Sequence, residues 1–171
     1  MSAATRPPAP SGIRPSAKQF AAYTLLSAAV AAAASTVSTA LAFEVWVMFA
    51  GFIAWFTRPS SIRDGLSALA CMWLGIGLGA AAYWSMHNLT PTLGALAVPI
   101  VVFLVALLIV GLRTTAFVNN MLAWFLGLVT FFAAHIEIAP APILELVAAS
   151  AIGGLAAWAS VTVTHRFAPA H

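Results

Sequence analysis

Apolar positions along this chain come in long runs instead of alternating with polar ones. Phe20 to Ala42 is almost unbroken and ends at Glu44; Val45 to Thr57 is a second, shorter run. Arg58, Pro59, Arg63 and Asp64 interrupt the pattern, and Ser61 with Asp64 three positions later reads as a capping box that opens a third helix at about Ile62. That helix is predicted to run to Met86, where His87, Asn88 and Pro91 predict a turn before a fourth run, Leu93 to Leu112. Arg113 to Asn120 forms the next break. Met121 to Ala134 is again short, and His135, Glu137, Pro140 and Pro142 separate it from a sixth run, Ile143 to about Val163.

A bilayer core about 30 Å thick needs about 20 apolar helical residues, fewer where a segment is enclosed by other helices. The composition fits that solvent: 63% of the 171 residues are hydrophobic and 6% charged, with a mean hydropathy of +1.01. Soluble domains carry about 25% charged residues, so an ordinary soluble globular protein is excluded. A net charge of +3 is too small and scattered for a nucleic-acid partner. The single cysteine, Cys71, allows neither a disulfide framework nor a cysteine metal site. The expected architecture is an all-α polytopic membrane protein of six transmembrane helices over 20–163. A polar, Pro-rich leader (1–19), expected to be disordered and cytoplasmic, precedes it, and a short tail (164–171) follows.

An even number of spans puts both termini on one side, and the positive-inside rule chooses it. Arg6, Arg14 and Lys18 precede the first span, Arg58 and Arg63 join the second to the third, Arg113 joins the fourth to the fifth, and Arg166 follows the sixth. All seven basic residues therefore fall on one side, predicted cytoplasmic. Glu44, His87, His135 and Glu137 fall on the other. Ala40-Leu41-Ala42 after a basic start also fits a secretory signal, but the stretch from Phe20 exceeds the usual apolar region of about 7 to 15 residues.

The two short runs read alike. Phe49, Gly51 and Phe56 form F-x-G-x-x-x-x-F, and so do Phe125, Gly127 and Phe132. In the runs that follow, Gly79 stands five residues before Trp84 and Gly153 five before Trp158. Residues 20–86 and 93–163 thus read as two copies of a three-helix unit, and an odd number of spans inverts the second copy. Short segments at matching places of two inverted halves point to a transport pathway. At 1.5 Å per residue they reach only about 20 Å.

The same residues resemble a bacterial inner-membrane family catalogued as domain of unknown function 1097. The resemblance rests on Phe49, Gly51, Phe56, Pro59, Gly65 and Leu66 in the first half. In the second it rests on Phe125, Gly127 and Phe132 with a glycine-rich last helix. It extends from about Ala28 onward and departs at Ser60 and Ser61, where glycines are common, and at Leu122, near a customary proline. It implies fold and location but no activity. A fainter similarity of rhythm runs to the membrane domains of aromatic-acid and fusaric-acid exporters.

Individual residues carry two readings each. Glu44 opens the second span, where a helix N-terminus favours a carboxylate; alternatively it is the mouth of a pathway, with Asn120 as its counterpart on the opposite side. Glu145 is a first-turn acid of the last span, or an intramembrane functional group if that helix starts earlier. His135 and Glu137 form H-x-E without the companion cysteines of a zinc deaminase. Gly75, Gly77 and Gly79 lie within an apolar helix with no preceding strand, which excludes a nucleotide loop. Gly75 and Gly79 make a G-x-x-x-G face instead, with Gly153 in the last span, expected to pack against the small-residue stretch Ala28 to Ala34 or another subunit. Pro99 predicts a kink in the fourth span. Trp46, Trp55, Tyr83, Trp84 and Trp124 fall near span ends, where amphipathic rings prefer the interface; Trp73 and Trp158 lie deeper.

No nucleophile elbow, metalloprotease motif or phosphate loop is present, so catalysis, a metal and a cofactor are not expected. The leading expectation is a small-solute channel or transporter, homo-oligomeric, with a pathway near Glu44, Phe49, Gly51, Phe56, Asn120, Phe125, Gly127, Phe132 and Glu145. The alternative is a structural or accessory membrane protein that binds a partner through small-residue helix faces.

Overall fold

The sequence folds through its punctuation, and the computed structural model describes residues 17–58 and 61–167. Among these the chain has six α-helices and no strand: α1 (Ala17–Ala40), α2 (Val45–Phe56), α3 (Ile62–Leu93), α4 (Ala97–Gly111), α5 (Met121–Ala134) and α6 (Pro140–Phe167). Residues 1–16 of the expected leader, Pro59, Ser60 and residues 168–171 lie outside the described residues.

Ser61 caps α3 as its spacing with Asp64 predicts. Its Oγ accepts from Asp64 N at 3.2 Å and donates to Asp64 Oδ2 at 2.8 Å. The expected turn at His87 to Pro91 is not there. Helix α3 continues through it because its polar side chains bond back onto the helix: Asn88 Nδ2 donates to Trp84 O at 2.8 Å and Thr90 Oγ1 to Met86 O at 2.6 Å. Pro91 falls in the last turn, where the loss of one backbone donor is tolerated. The chain reverses at Gly94, with φ +55° and ψ −130°, a conformation that favours glycine. A 3-10 turn, Gly94–Leu96, then leads into α4. Pro99 is the third residue of α4, where its missing N–H would have no helical acceptor, so no mid-helix kink is required of it.

Helix directions follow from residue pairs. A Cβ built on Gly75 would meet Gly127, and one on Gly79 would meet Phe131, a constant offset that makes α3 and α5 parallel. Trp73 bonds Ser150 and Leu69 lies against Gly154, an opposed progression that makes α6 antiparallel to α3. The Trp55 ring covers Gly65, closing α2 back against α3.

Helices α2, α3, α5 and α6 form the centre, with the most extensive packing between α2 and α6 and between α3 and α5. Helix α1 lies against α6, and α4 lies against α3. On α4 only the stripe Ala97, Val101, Val105 and Ile109 is buried, a four-residue repeat that presents one face inward. This arrangement puts Arg58, Arg63 and Arg113 at one end, called here the arginine end. Glu44, His87, His135 and Glu137 lie at the other, the histidine end.

Among the described residues, three helical runs are long and apolar enough to cross a membrane: Phe20–Ala40, the run Ile62–Thr114 that folds back at Gly94, and Pro140–Val163. Helices α2 and α5 are the shorter apolar ones, as expected. With 32 residues, α3 is about 48 Å long, well beyond a hydrocarbon core of about 30 Å. The packing corrects two expectations. The Gly75 and Gly79 face meets α5, not α1, because α1 is engaged with α6. Trp55 and Trp124 are buried instead of interfacial, because the ends of short helices lie inside a bundle of longer ones.

Candidate functional site: two glycine crossings and a cavity at the histidine end

The short helices meet the long ones at backbone-to-backbone crossings. A methyl group on Gly51 would overlap the carbonyl of Ser150, and one on Gly153 would overlap the carbonyl of Met48. The same happens between α3 and α5, where Gly127 faces the carbonyl of Met72 and Gly75 faces that of Trp124. Small residues allow such approach in membrane helices, where close packing and polar contacts supply the attraction. Gly79 plays a different part and meets only the side chain of Phe131.

Between the two crossings a polar bond joins α3 to α6: Trp73 Nε1 donates to Ser150 Oγ at 3.0 Å, and Ser150 Oγ donates to Val147 O at 2.9 Å. At the arginine end, buried Asn120 is the N-cap of α5. Its Oδ1 accepts from Ala123 N at 3.3 Å, and its Nδ2 donates to Thr57 Oγ1 at 2.6 Å. Arg58 reaches Asn119 O at 3.3 Å, Trp124 Nε1 donates to Val118 O at 2.8 Å, and Ser67 Oγ donates to Phe117 O. The segment before α5 is thereby tied to α2 and α3.

At the histidine end a cavity of about 390 Å³ opens between α3, which supplies Tyr83, Trp84 and His87, and the 135–138 segment after α5. His135 ends α5 in the left-handed region, with φ 50° and ψ 34°, and its Nδ1 lies 2.8 Å from Ala133 O. The Tyr83 ring is held edge-on to Phe131, with centroids 6.4 Å apart. Among the described residues no three His, Cys, Asp or Glu side chains gather to hold a metal ion.

The residues singled out from sequence are distributed among these places. Gly51, Gly75, Gly127 and Gly153 sit at the crossings. Asn120 is enclosed in the arginine-end network. Phe125 and Phe132 line an apolar cavity of about 60 Å³ shared with α3 and α4. Phe49, Phe56, Glu44 and Glu145 are exposed on the surface of the chain. Helix α6 begins at Pro140, so Glu145 lies in its second turn, deeper than a first-turn acid. The Trp73–Ser150 bond and the assembly of Tyr83, Trp84 and His87 with the 135–138 segment escaped sequence reasoning. Tyr83 and His87 do share a helix face by their spacing of four, but their partner segment becomes apparent only once α3 and α5 are known to be parallel.

A family model described as a protein of unknown function, DUF1097, matches residues 24–165. The chain belongs to that family. The match takes in all of α2 to α5, both crossings and every residue of the histidine-end cavity, so these features lie within the DUF1097 region. No curated protein and no solved structure matches the chain.

Proposed function

We propose that this protein is a small-solute channel or transporter of the bacterial inner membrane, built from two inverted three-helix repeats, with both termini cytoplasmic. The observation that carries the reading is the equivalence of the two glycine crossings. Gly51 and Met48 on α2 correspond to Gly127 and Trp124 on α5, each pair separated by 76 residues. Met72 and Gly75 on α3 correspond to Ser150 and Gly153 on α6, each pair separated by 78. Carbonyl meets glycine at all four places, so the counterpart of Gly153 is Gly75 and not Gly79. Paired short helices in inverted repeats are how many transporters build their pathway. The absence of charged side chains from α2 and α5 favours a small neutral or weakly acidic solute. The arginine end is cytoplasmic in this reading. Catalysis forms no part of it, and the protein works as a homo-oligomer in the bilayer.

The deciding experiment is flux. Proteoliposomes holding the full chain are expected to take up small neutral solutes and weak acids faster than protein-free vesicles, and replacing Gly127 with leucine should abolish the difference. Uptake indistinguishable from empty vesicles across such a panel overturns the reading.

A second reading, an accessory protein that binds a membrane partner, draws on the largely uncovered α4, where Phe103, Leu104 and Leu107 are all more than half exposed. It predicts a stable protein partner on purification from native membranes and no flux.

A further inference from the structure

We propose that the cavity at the histidine end recognises a small organic ammonium group, either as a free solute or as the headgroup of an aminophospholipid. This stands apart from the transport reading, which concerns an uncharged solute near the short helices.

The lining is rich in acceptors and aromatic faces. Glu137 supplies a carboxylate, and no Lys or Arg lines the cavity to neutralise it. The arginine that opens α3, Arg63, is 20 residues from Tyr83 on that helix, about 30 Å away at 1.5 Å per residue, which exceeds the screening length at physiological salt. His135 adds an acceptor by elimination. Its Nδ1 lies 2.8 Å from the carbonyl of Ala133, a carbonyl only accepts, and so Nδ1 carries the hydrogen. In the neutral tautomer this leaves Nε2 with a free lone pair. Because His135 terminates α5 in the left-handed region, the helix end fixes where that ring begins.

Trp84 and Tyr83 contribute the rings. Tryptophan is the best cation–π partner, and quaternary ammonium recognition is its best-known use. An interfacial aromatic belt would by itself leave these rings facing lipid. Here they line one wall of a cavity whose other wall holds a carboxylate and an imidazole. Phe131 braces the Tyr83 ring edge-on, which lowers the entropy lost on closing around a ligand.

Charge and size narrow the ligand. The carboxylate, with no Lys or Arg among the lining residues, disfavours anions. A chelated metal would need three ligating side chains together, and the described residues offer none. A volume of about 390 Å³ is within the range of small-molecule sites and accommodates an ammonium with a short carbon substituent. Such a group occurs in free ethanolamine or choline-like solutes and in phosphatidylethanolamine headgroups. The cavity opens at an end of the bundle, beside the protruding turns of α3, where both sources are within reach.

The test uses the full chain in two settings. In detergent, calorimetric titration with tetramethylammonium and with ethanolamine, against sodium chloride of equal ionic strength, should show saturable binding. Glu137→Gln and Trp84→Leu should each weaken it about two- to fivefold, the scale of one cation–π or charge contact at a solvent-exposed site, with thermal unfolding unchanged. In nanodiscs, native mass spectrometry should compare retention of phosphatidylethanolamine with phosphatidylglycerol. Preferential retention of the former, lost in both variants, assigns the headgroup as the source. Free-ligand binding without lipid preference assigns a soluble ammonium. No binding above the sodium control in either setting, or binding insensitive to both substitutions, overturns the proposal. Ammonium binding without solute flux leaves this site standing while the transport reading fails; flux without ammonium binding does the reverse.

Discussion

Asn120 Nδ2 donates to Thr57 Oγ1 at 2.6 Å, linking the residue that caps α5 to the residue that ends α2. The same amide accepts from Ala123 N through Oδ1, and Thr57 passes its own hydrogen to Ala54 O at 2.7 Å. One buried side chain thus satisfies two helix ends. Asn120→Ala removes the cap and leaves the Thr57 oxygen without its donor. A loss of about 1–2 kcal/mol is expected, read as a lower unfolding temperature in detergent. Asn120→Asp keeps the cap acceptor but not the donor and should fall between the two. Equal stability of Asn120→Ala and the unaltered protein would refute the link.

Glycine positions within α3 are expected to differ sharply. Gly75 faces the Trp124 carbonyl, whereas a Cβ at Gly77 meets nothing within 4 Å. Gly75→Ala should cost about 1–3 kcal/mol through overpacking. Gly77→Ala should be neutral or stabilising by up to about 1 kcal/mol, because alanine restricts the unfolded chain. Unfolding curves of the two variants side by side check this, and similar behaviour would contradict the crossing geometry.

Trp73→Phe retains a large ring and removes the hydrogen bond to Ser150. Interhelical polar bonds in membranes contribute about 0.6 kcal/mol on average, so a small loss is expected. Ser150→Ala also removes the bond to Val147 O and should cost somewhat more, and the double variant should lose less than the sum of the two, because both delete the Trp73–Ser150 bond.

Orientation is open to labelling. Cys71 is buried, and with the only native thiol enclosed, single cysteines report sidedness cleanly. In intact cells Glu137→Cys should react with a membrane-impermeant maleimide, and Arg113→Cys should react only after permeabilisation. The opposite pattern would invert the proposed topology.

Local features were legible in the sequence because they depend on local chemistry. Helix α5 spans the predicted Met121–Ala134, α2 differs from its predicted run by one residue, and the Ser61 cap forms. What was not legible depended on neighbours. His87 and Asn88 look like turn residues, yet their helix protrudes past the length of a membrane span, where polar side chains are wetted or bond backwards. Trp55 and Trp124 occupy the ends of their helices, but neighbouring chain covers both rings: Trp55 lies over Gly65 and Trp124 bonds Val118 O. The glycine stripe announced close packing, but its expected partner was the small-residue stretch of α1, and the face meets α5 instead. The histidine-end cavity needs two segments about fifty residues apart in sequence to lie side by side, and only the parallel course of α3 and α5 supplies that.

The crossings also decide which parts of the chain can exist without one another. Helix α2 is locked by glycine to α6, and α3 to α5, so every tight pair except the hairpins joins one half of the sequence to the other. Severed at the exposed Gly94 turn, the two fragments would each be left with bare glycine grooves and neither would hold its shape alone. Expressed together, they should find each other and restore one particle, because each carries the complement that the other lacks. The halves of this protein are interlocked strands of one knotless clasp, and assembly of the whole comes before stability of the parts.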